Sequence, residues 1–383
     1  MNKTISLKKV AKYSDARIPI KDVTINNFVT TDNLLQNKLG ITKATSLPPQ
    51  DGNMPAYFKN DILIGNIRPY LKKIWFADKD GGNSADVLTI KVNEKHNPKF
   101  IYYALYRDDF FEHMMKGSKG TKMPRGDKNQ IMEFSIPDIS LESEEKIANV
   151  LSSLDSKIEL NNKINKELEA MAKTLYDYWF VQFDFPDENG KPYKSSGGKM
   201  VYNLELKREI PQGWEVKTIS ELLNVVTGKE DANFAVENGK YPFFTCSENI
   251  LSCDEYAFEG KAILIAGNGN FNVKIYEGKF NAYQRTYVLI PNDEKFYSVI
   301  FYAVKDQLKK LSNGSAGSII KFITKGDVDN IPLILPKFGN DKIFNKLNNI
   351  TALIEKNIEQ NQELAKLRDW LLPMLMNGQV KVK

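Results

Sequence analysis

The feature that most constrains this 383-residue chain is an internal duplication. Four short segments of the first half recur in the second half, in the same order and after 196 to 201 residues. Chance could produce one such match, but four in register indicate two copies of one structural unit. The matches are residues 146–158 with 342–354, the Ile-Leu-Ile runs 62–64 with 263–265, residues 117–121 with 314–318, and Arg125-Gly-Asp127 with Lys325-Gly-Asp327.

Each copy is predicted to be a mixed domain followed by a long helix. Apolar runs bounded by Gly, Asn and Asp indicate buried strands at residues 61–65, 87–92 and 287–290, whereas residues 100–115 and 296–311 have helical spacing. The expected fold class is α+β, with two duplicated mixed α/β domains separated by two long helices. The predicted boundaries are 1–140 for the first domain, 141–186 for the central helix, 187–212 for a linker, 213–338 for the second domain and 339–383 for the C-terminal helix.

Both long helices are predicted to carry a coiled-coil seam. Apolar residues spaced alternately four and three apart run from Ile147 to Trp179, and the equivalent positions run from Ile343 to Leu375. The same two positions in each seam are asparagine: Asn161 and Asn165 in the first copy, Asn357 and Asn361 in the second. Buried amides would fix the register of the pair, because slippage would leave them unsatisfied. The alternative is that they mark a solvated, splayed part of the pair.

A helix of this length cannot be buried within its own domain. Residues 147–179 would extend for about 50 Å at about 1.5 Å per residue. Pairing with the duplicate helix is the economical interpretation, because both copies expose a seam of equal length. If a two-fold axis perpendicular to the helices relates the copies, the pair is an antiparallel coiled coil.

Composition excludes several classes of protein. No apolar run approaches the roughly 18 residues that a membrane span requires, and the Lys-rich start leads into no apolar segment, which predicts a cytoplasmic protein without a membrane partner. The two cysteines, Cys246 and Cys253, are too few for a zinc site and are predicted to be reduced thiols. The net charge of +5 is compatible with a phosphate-backbone partner.

Sequence motifs for catalysis are absent. There is no Gly-x-Gly-x-x-Gly after a strand and no Walker-type phosphate loop, since Gly197-Gly-Lys199 is followed by Met200. The Asn/Asp-Pro-Pro-aromatic tetrapeptide of amino-methyltransferases is also missing. Neither histidine has a triad context, and no paired carboxylates stand out. We therefore expect a chain that is not an enzyme, with no catalytic residue, metal or cofactor of its own.

Polar and basic loops recur in each mixed domain and are the candidate DNA-binding sites. Arg, Lys, Asn and Gln read base edges in the major groove, and Lys and Arg also neutralise phosphates. The candidates are Arg68, Lys72, Lys73, Lys119, Lys122 and Arg125 in the first copy, and Asn268, Lys274, Arg285, Lys321 and Lys325 in the second. Arg125 and Lys325, each beside Gly-Asp, are predicted to be equivalent and to face DNA.

The chain resembles the specificity subunits of type I restriction-modification systems. The resemblance covers the whole chain and is most specific between residues 161 and 214. It rests on residues 161–168, the aromatic run 175–186, residues 190–198, Ile210-Pro-Gln-Gly-Trp214 and the C-terminal segment 367–378. The first copy has no sequence counterpart of the 210–214 lead-in.

The resemblance implies a pseudo-two-fold protein with two target-recognition domains that read the halves of a bipartite site in double-stranded DNA. It also implies that the long helices form an antiparallel coiled coil and bind two modification subunits. Those partners would use S-adenosylmethionine to methylate adenine, and restriction subunits would add ATP- and Mg-dependent translocation and cleavage. This chain would supply specificity only.

Two other classes of function remain open from the sequence. The chain could be a coiled-coil scaffold whose globular ends bind protein, in which case its affinity for DNA would be weak and indifferent to sequence. It could also be a methyltransferase fused to its reader, which the missing motifs disfavour. Binding of S-adenosylmethionine by the purified chain would distinguish that class.

Overall fold

A computed structural model describes residues 3–48, 52–269, 271–313, 322–337 and 341–382. The chain forms two compact units: unit 1 comprises residues 1–159 and 361–383, and unit 2 comprises residues 160–360. Each unit therefore contains one mixed domain and parts of both long helices. Within the described ranges, no helix is long and apolar enough to cross a membrane.

Unit 1 contains two four-stranded sheets, with orders β2-β9-β6-β7 and β3-β5-β8-β4, and a separate β1–β10 pair. Its strands are β1 (Thr4–Ser6), β2 (Ala11–Tyr13), β3 (Arg17–Pro19), β4 (Phe28–Val29), β5 (Asn53–Tyr57), β6 (Ile62–Gly65), β7 (Ile74–Phe76), β8 (Gly81–Asn83), β9 (Val87–Val92) and β10 (Ser135–Pro137). Its helices are α1 (Pro98–Tyr106), α2 (Asp108–Lys116), α3 (Lys128–Met132), the first half of α4 (Leu141–Tyr176) and the end of the C-terminal helix, residues 361–376.

The helical spacing predicted over residues 100–115 corresponds to two helices, α1 and α2. Arg107 has extended backbone angles (φ −66°, ψ 149°) and separates α1 from α2. Asp108 opens α2 and its carboxylate pairs with Lys38 at 2.6 Å and Lys72 at 3.1 Å. These long-range ion pairs lie at the start of α2, and the helical periodicity of the sequence does not show them.

Unit 2 contains one six-stranded sheet, with order β14-β19-β17-β18-β15-β16, and two separate strand pairs, β11–β12 and β13–β20. Its strands are β11 (Met200–Asn203), β12 (Arg208–Pro211), β13 (Trp214–Thr218), β14 (Val226–Thr227), β15 (Tyr241–Phe244), β16 (Leu251–Cys253), β17 (Phe258–Ala266), β18 (Val273–Ala282), β19 (Thr286–Leu289) and β20 (Pro332–Pro336). Its helices are the second half of α4, α5 (Ile219–Leu222), α6 (Tyr297–Asn313), α7 (Lys325–Asp329) and the first half of α8 (Asp341–Met376).

The topologies of the two units confirm the duplication. The order β2-β9-β6-β7 in unit 1 matches β14-β19-β17-β18 in unit 2. In both units, the strand before the long helix pairs antiparallel with a strand near the start of the domain: β10 with β1, and β20 with β13. β1 is thus the structural counterpart of the strand that begins at Trp214, which the sequence of the first copy does not reveal.

The two long helices pair antiparallel, as predicted. In unit 2 the Asn161 amide donates to Gln360 at 2.8 Å, and Asn165 accepts from Asn357 at 2.8 Å. Residue numbers therefore rise along α4 as those of their partners on the C-terminal helix fall, which is an antiparallel pairing. All twenty predicted seam positions lie in the described residues, and none of them is exposed. Asn161 and Asn165 are buried, whereas Asn357 and Asn361 are half-buried. Their role in fixing the register stays a prediction.

The segment predicted as a linker, residues 187–212, contains the β11–β12 hairpin and belongs to unit 2. After α4, a π-helical turn (Asp177–Val181) brings aromatic side chains together around Trp214. Phe185 stacks on Trp214 with ring centroids 5.0 Å apart, and on Tyr193 at 4.7 Å. Aromatic residues of the tract 161–214, in which the resemblance is most specific, therefore pack as one cluster.

Candidate nucleic-acid interface

The same backbone frame lies at one end of the central sheet in both units. In unit 1, the amide of Asn66 donates to the carbonyl of Asp86 at 2.9 Å, and that of Gly126 donates to Asn66 at 3.2 Å. In unit 2, Gly267 donates to Arg285 at 2.9 Å, and Ile323 donates to Gly267 at 2.8 Å. The frame therefore makes Asp86 equivalent to Arg285, and Arg125 equivalent to Phe322.

The predicted equivalence of Arg125 and Lys325 is wrong by three residues. Asp127 caps α3 by accepting hydrogen bonds from the amides of Asn129 and Gln130, and in unit 2 the capping side chain is Thr324. Lys325 is therefore the counterpart of Lys128, in the first turn of the short helix. The shared Gly-Asp pair lies before the helix in one copy and inside it in the other.

Arg68, Lys72 and Lys73 lie on the loop after β6. Arg68 and Lys72 both have left-handed backbone angles (φ 53° and 50°) and flank a short turn. The Nε of Arg68 is buried and has no hydrogen-bond partner in the described part of the chain. Lys72 pairs with Asp108, whereas Lys73 donates to the carbonyl of Thr31, and burial lowers the pKa of Lys73. To bind DNA, the Lys73 ammonium would have to give up its hydrogen bond to the Thr31 carbonyl and bind a phosphate instead.

Lys119, Lys122 and Arg125 lie on one hairpin, which we call the basic hairpin (residues 119–125). Lys119 and Arg125 exchange two backbone hydrogen bonds of 2.9 and 3.0 Å, and the amide of Arg68 binds the carbonyl of Pro124 at 2.7 Å. All three basic side chains are exposed. Lys119 lies 3.6 Å from Asp127, and Arg125 lies 3.1 Å from Asp86. The hairpin thus presents three cations on a backbone anchored to the sheet end.

In unit 2, the equivalent sheet end forms an open cleft of about 440 Å³. Asn268 and Arg285, both predicted from the sequence, contribute to its wall. The other lining residues are Gly267, Gln284, Tyr287, Phe322 and Ile323. Gln284, Arg285 and Phe322 are exposed. Phe322 and, in unit 1, Asp86 were not among the predicted residues, because only the strand registers show that they belong to this frame.

The remaining candidates of unit 2 do not line this cleft. Lys274 donates to the carbonyl of Ser247 at 2.6 Å, and burial lowers the pKa of Lys274. Lys325 is exposed and lies 3.9 Å from Asp329. Lys321 and the Gly-Ser repeat at 314–318 lie outside the described residues. DNA contact by any of the candidates stays a prediction.

No group of side chains suited to a metal ion occurs among the described residues. Cys246 and Cys253 are free thiols, as predicted. Each unit contains one copy of the mixed frame with its own polar loops, packed on parts of both long helices, so the chain is a duplicated two-domain protein.

Comparison with known proteins identifies the family. The family described as the type I restriction modification DNA specificity domain matches residues 2–170 and 211–366. These stretches include most of the chain, so the chain belongs to the family of type I restriction-modification specificity subunits, whose members are non-catalytic. This confirms the resemblance drawn from the sequence.

Individual relatives agree with this assignment. The type I restriction enzyme MjaIX specificity subunit of Methanocaldococcus jannaschii is 30% identical, over 74% of this chain and 69% of that protein. The HindI specificity subunit of Haemophilus influenzae is 24% identical, over 92% of this chain and 94% of that protein. The EcoDI specificity subunit of Escherichia coli is 38% identical over 45% of this chain, and the match spans 40% of that protein.

A solved structure shares the fold. The crystal structure of the type I restriction-modification S subunit from M. genitalium has a TM-score of 0.58 and 19% sequence identity. The alignment covers 98% of this chain and 96% of that chain. The fold class predicted from the duplication and the helical seams is therefore confirmed.

Proposed function

We propose that this chain reads a bipartite site in double-stranded DNA, one half with each unit, and positions adenine-methylating and restriction subunits on it. The observation that carries the proposal is the repeated frame at the sheet end, where the backbone is the same and the side chains differ. Two readers of one architecture with different side chains would recognise different half-sites. A cytoplasmic location follows from this role, because the DNA is there.

The charge of the loops supports binding to DNA. The basic hairpin presents three exposed cations, and the cleft of unit 2 presents an arginine beside a glutamine. Cations at phosphates supply affinity, whereas arginine and amide side chains at base edges supply specificity. Both kinds of contact are available at the same place in the frame.

Exposed apolar side chains on the long helices support docking of the modification subunits. Met171 on α4 and Leu367 on α8 are 47% and 42% exposed and occupy equivalent positions, 196 residues apart. Leu160 and Ile164 lie on the same face of α4 as Met171 and are also exposed. The exposed apolar position shared by Met171 and Leu367 would suit two copies of one partner, although α8 has Lys356 and Gln360 where α4 has Leu160 and Ile164. These partners would bring S-adenosylmethionine, and restriction subunits would bring ATP with Mg.

The proposed function is tested by exchanging one domain. Residues 1–140 are replaced by the first domain of another family member, and the chain is expressed with its modification subunits. We expect one half of the methylated motif to change and the other to persist, as read by sequencing methylated adenines in the cells. A change in both halves would contradict independent reading. If the unaltered chain supports no sequence-specific methylation, the scaffold interpretation gains instead.

The basic hairpin is expected to bind phosphates. Lys119→Ala and Lys122→Ala should each weaken binding to all DNA sequences. Each should also reduce the magnitude of the negative slope of log K against log salt by about 0.9. Lys95→Ala is the matched control, because Lys95 is exposed in the same unit and lies beyond the opposite end of β9 from Asp86. Salt titrations of DNA binding by the assembled complex measure the slopes. Slopes equal to that of the control would remove the hairpin from the interface.

A further inference from the structure

Two equivalent positions carry different charges in the two units, although equivalent backbone hydrogen bonds surround them. In unit 1, the position before β9 is Asp86, and the position that faces it is Arg125. In unit 2, the same two places hold Arg285 and Phe322. The cation thus lies in the segment before the short helix in unit 1 and just before the strand in unit 2. Unit 2 has no carboxylate at either place.

This difference changes what each unit offers to a ligand. In unit 1, the Arg125 guanidinium lies 3.1 Å from the Asp86 carboxylate, so part of its hydrogen-bonding capacity is used. In unit 2, no ion pair holds Arg285 among the residues that the structure describes. The Arg285 side chain is exposed beside Gln284 at the cleft of about 440 Å³.

The backbone that presents Arg285 is held from two sides. A Cβ on Gly267 would lie 2.6 Å from the carbonyl oxygen of Arg285, so only glycine allows this close approach. Tyr287 lies in β19, two residues after Arg285, and its hydroxyl donates to the carbonyl of Ile323 at 2.8 Å. The segment that contains Phe322 is thereby tied to β19. The backbone at Arg285 is thus held by defined contacts on both sides, which suits selective recognition.

We propose that Arg285 is the specificity-determining residue of unit 2 and that it reads a guanine through the major groove, an inference that rests on the proposed function. A guanidinium donates two parallel hydrogen bonds to O6 and N7 of guanine, a pattern that the other bases do not offer. The equivalent reader in unit 1 is the Asp86–Arg125 pair. Its carboxylate adds an acceptor, so unit 1 has a different base preference.

The test uses the complex of the full chain with its modification subunits. The motif of the unaltered complex is determined first, and each position is then replaced by every other base pair in duplexes for methylation and binding assays. In Arg285→Ala, we expect discrimination at one guanine of one half-site to fall by about ten- to a hundred-fold, with the other positions unchanged. Arg285→Lys should keep the charge and the affinity but relax the same position, because an ammonium lacks the planar pair of donors.

Lys295→Ala serves as the matched control, because Lys295 is an exposed cation beyond the opposite end of β19. It should leave the motif unchanged, and thermal unfolding of each complex confirms that the variants are folded. An unchanged motif in Arg285→Ala overturns the proposal. A uniform loss over all sequences also overturns it, by assigning Arg285 to the phosphate backbone. Failure of the unaltered complex to recognise any motif would instead contradict the proposed function.

Discussion

Arg368→Ala is expected to destabilise unit 1 by about 3 kcal/mol. The Arg368 guanidinium on α8 donates to the Asp155 carboxylate on α4 at 2.8 Å, and its side chain is only 14% exposed. Without it, the half-buried Asp155 carboxylate would lose its cationic partner. The cost is at the lower end of the range for a broken buried pair, because Asp155 is 30% exposed. Urea unfolding measures the loss, and hydrogen exchange should place it in α1 and α8.

The duplication supplies a matched control for this variant. The positions equivalent to Asp155 and Arg368, 196 residues away, are Thr351 and Ala172. In unit 2, Thr351 is buried and accepts from the Ser298 hydroxyl at 2.8 Å, while Ala172 is fully buried. The double variant Asp155→Thr, Arg368→Ala places the unit 2 residues at both positions and removes the unpaired carboxylate, so it should recover part of the lost stability. If it is as unstable as Arg368→Ala, the unpaired charge is not the cause.

A tyrosine ties the same ion pair to the recognition domain. The Tyr103 hydroxyl donates to the second oxygen of Asp155 at 2.6 Å. Burial and the neighbouring carboxylate raise the pKa of Tyr103, so its hydroxyl stays protonated and remains a donor. Asp155 therefore links α1 to both long helices within unit 1.

The sequence predicted the parts of the fold that depend on periodicity and repetition. Alternating steps of four and three residues fixed both seams, and recurring segments revealed the duplication. Arg368 was placed on a seam, but its partner is Asp155, 213 residues away, which is not itself a seam residue. No local pattern shows that unit 1 has this ion pair where unit 2 has Thr351 and Ala172.

The candidate site was predicted less well, for a related reason. Gly-Asp after a basic residue aligned Arg125 with Lys325, but helix capping by Asp127 and Thr324 shows a shift of three residues. Short polar segments carry too little sequence information to fix an alignment to within one residue. Strand registers fix it, and they identified the equivalence of Asp86 with Arg285.

The second large effect is expected from lengthening both helices together. One heptad, with leucine at both seam positions, is inserted between residues 159 and 160 of α4, and another between 360 and 361 of α8, where the two units divide. Each insertion adds about 10 Å of helix, which corresponds to three base pairs of 3.4 Å. The native motif should be lost, and both half-sites should persist with a gap one to three base pairs longer. Sequencing of methylated adenines measures the gap.

The upper limit of three base pairs follows from the added length of the helices. The helical twist of DNA favours a smaller increase of the gap. Each added base pair turns the second half-site by about 35°, whereas a heptad turns a helix by only about 20°. Lengthening α4 alone is the control. It would put either Asp155 and Arg368 or Asn165 and Asn357 out of register, so it should destabilise the chain and abolish methylation. A native gap in the doubly lengthened chain would show that these helices do not set the spacing.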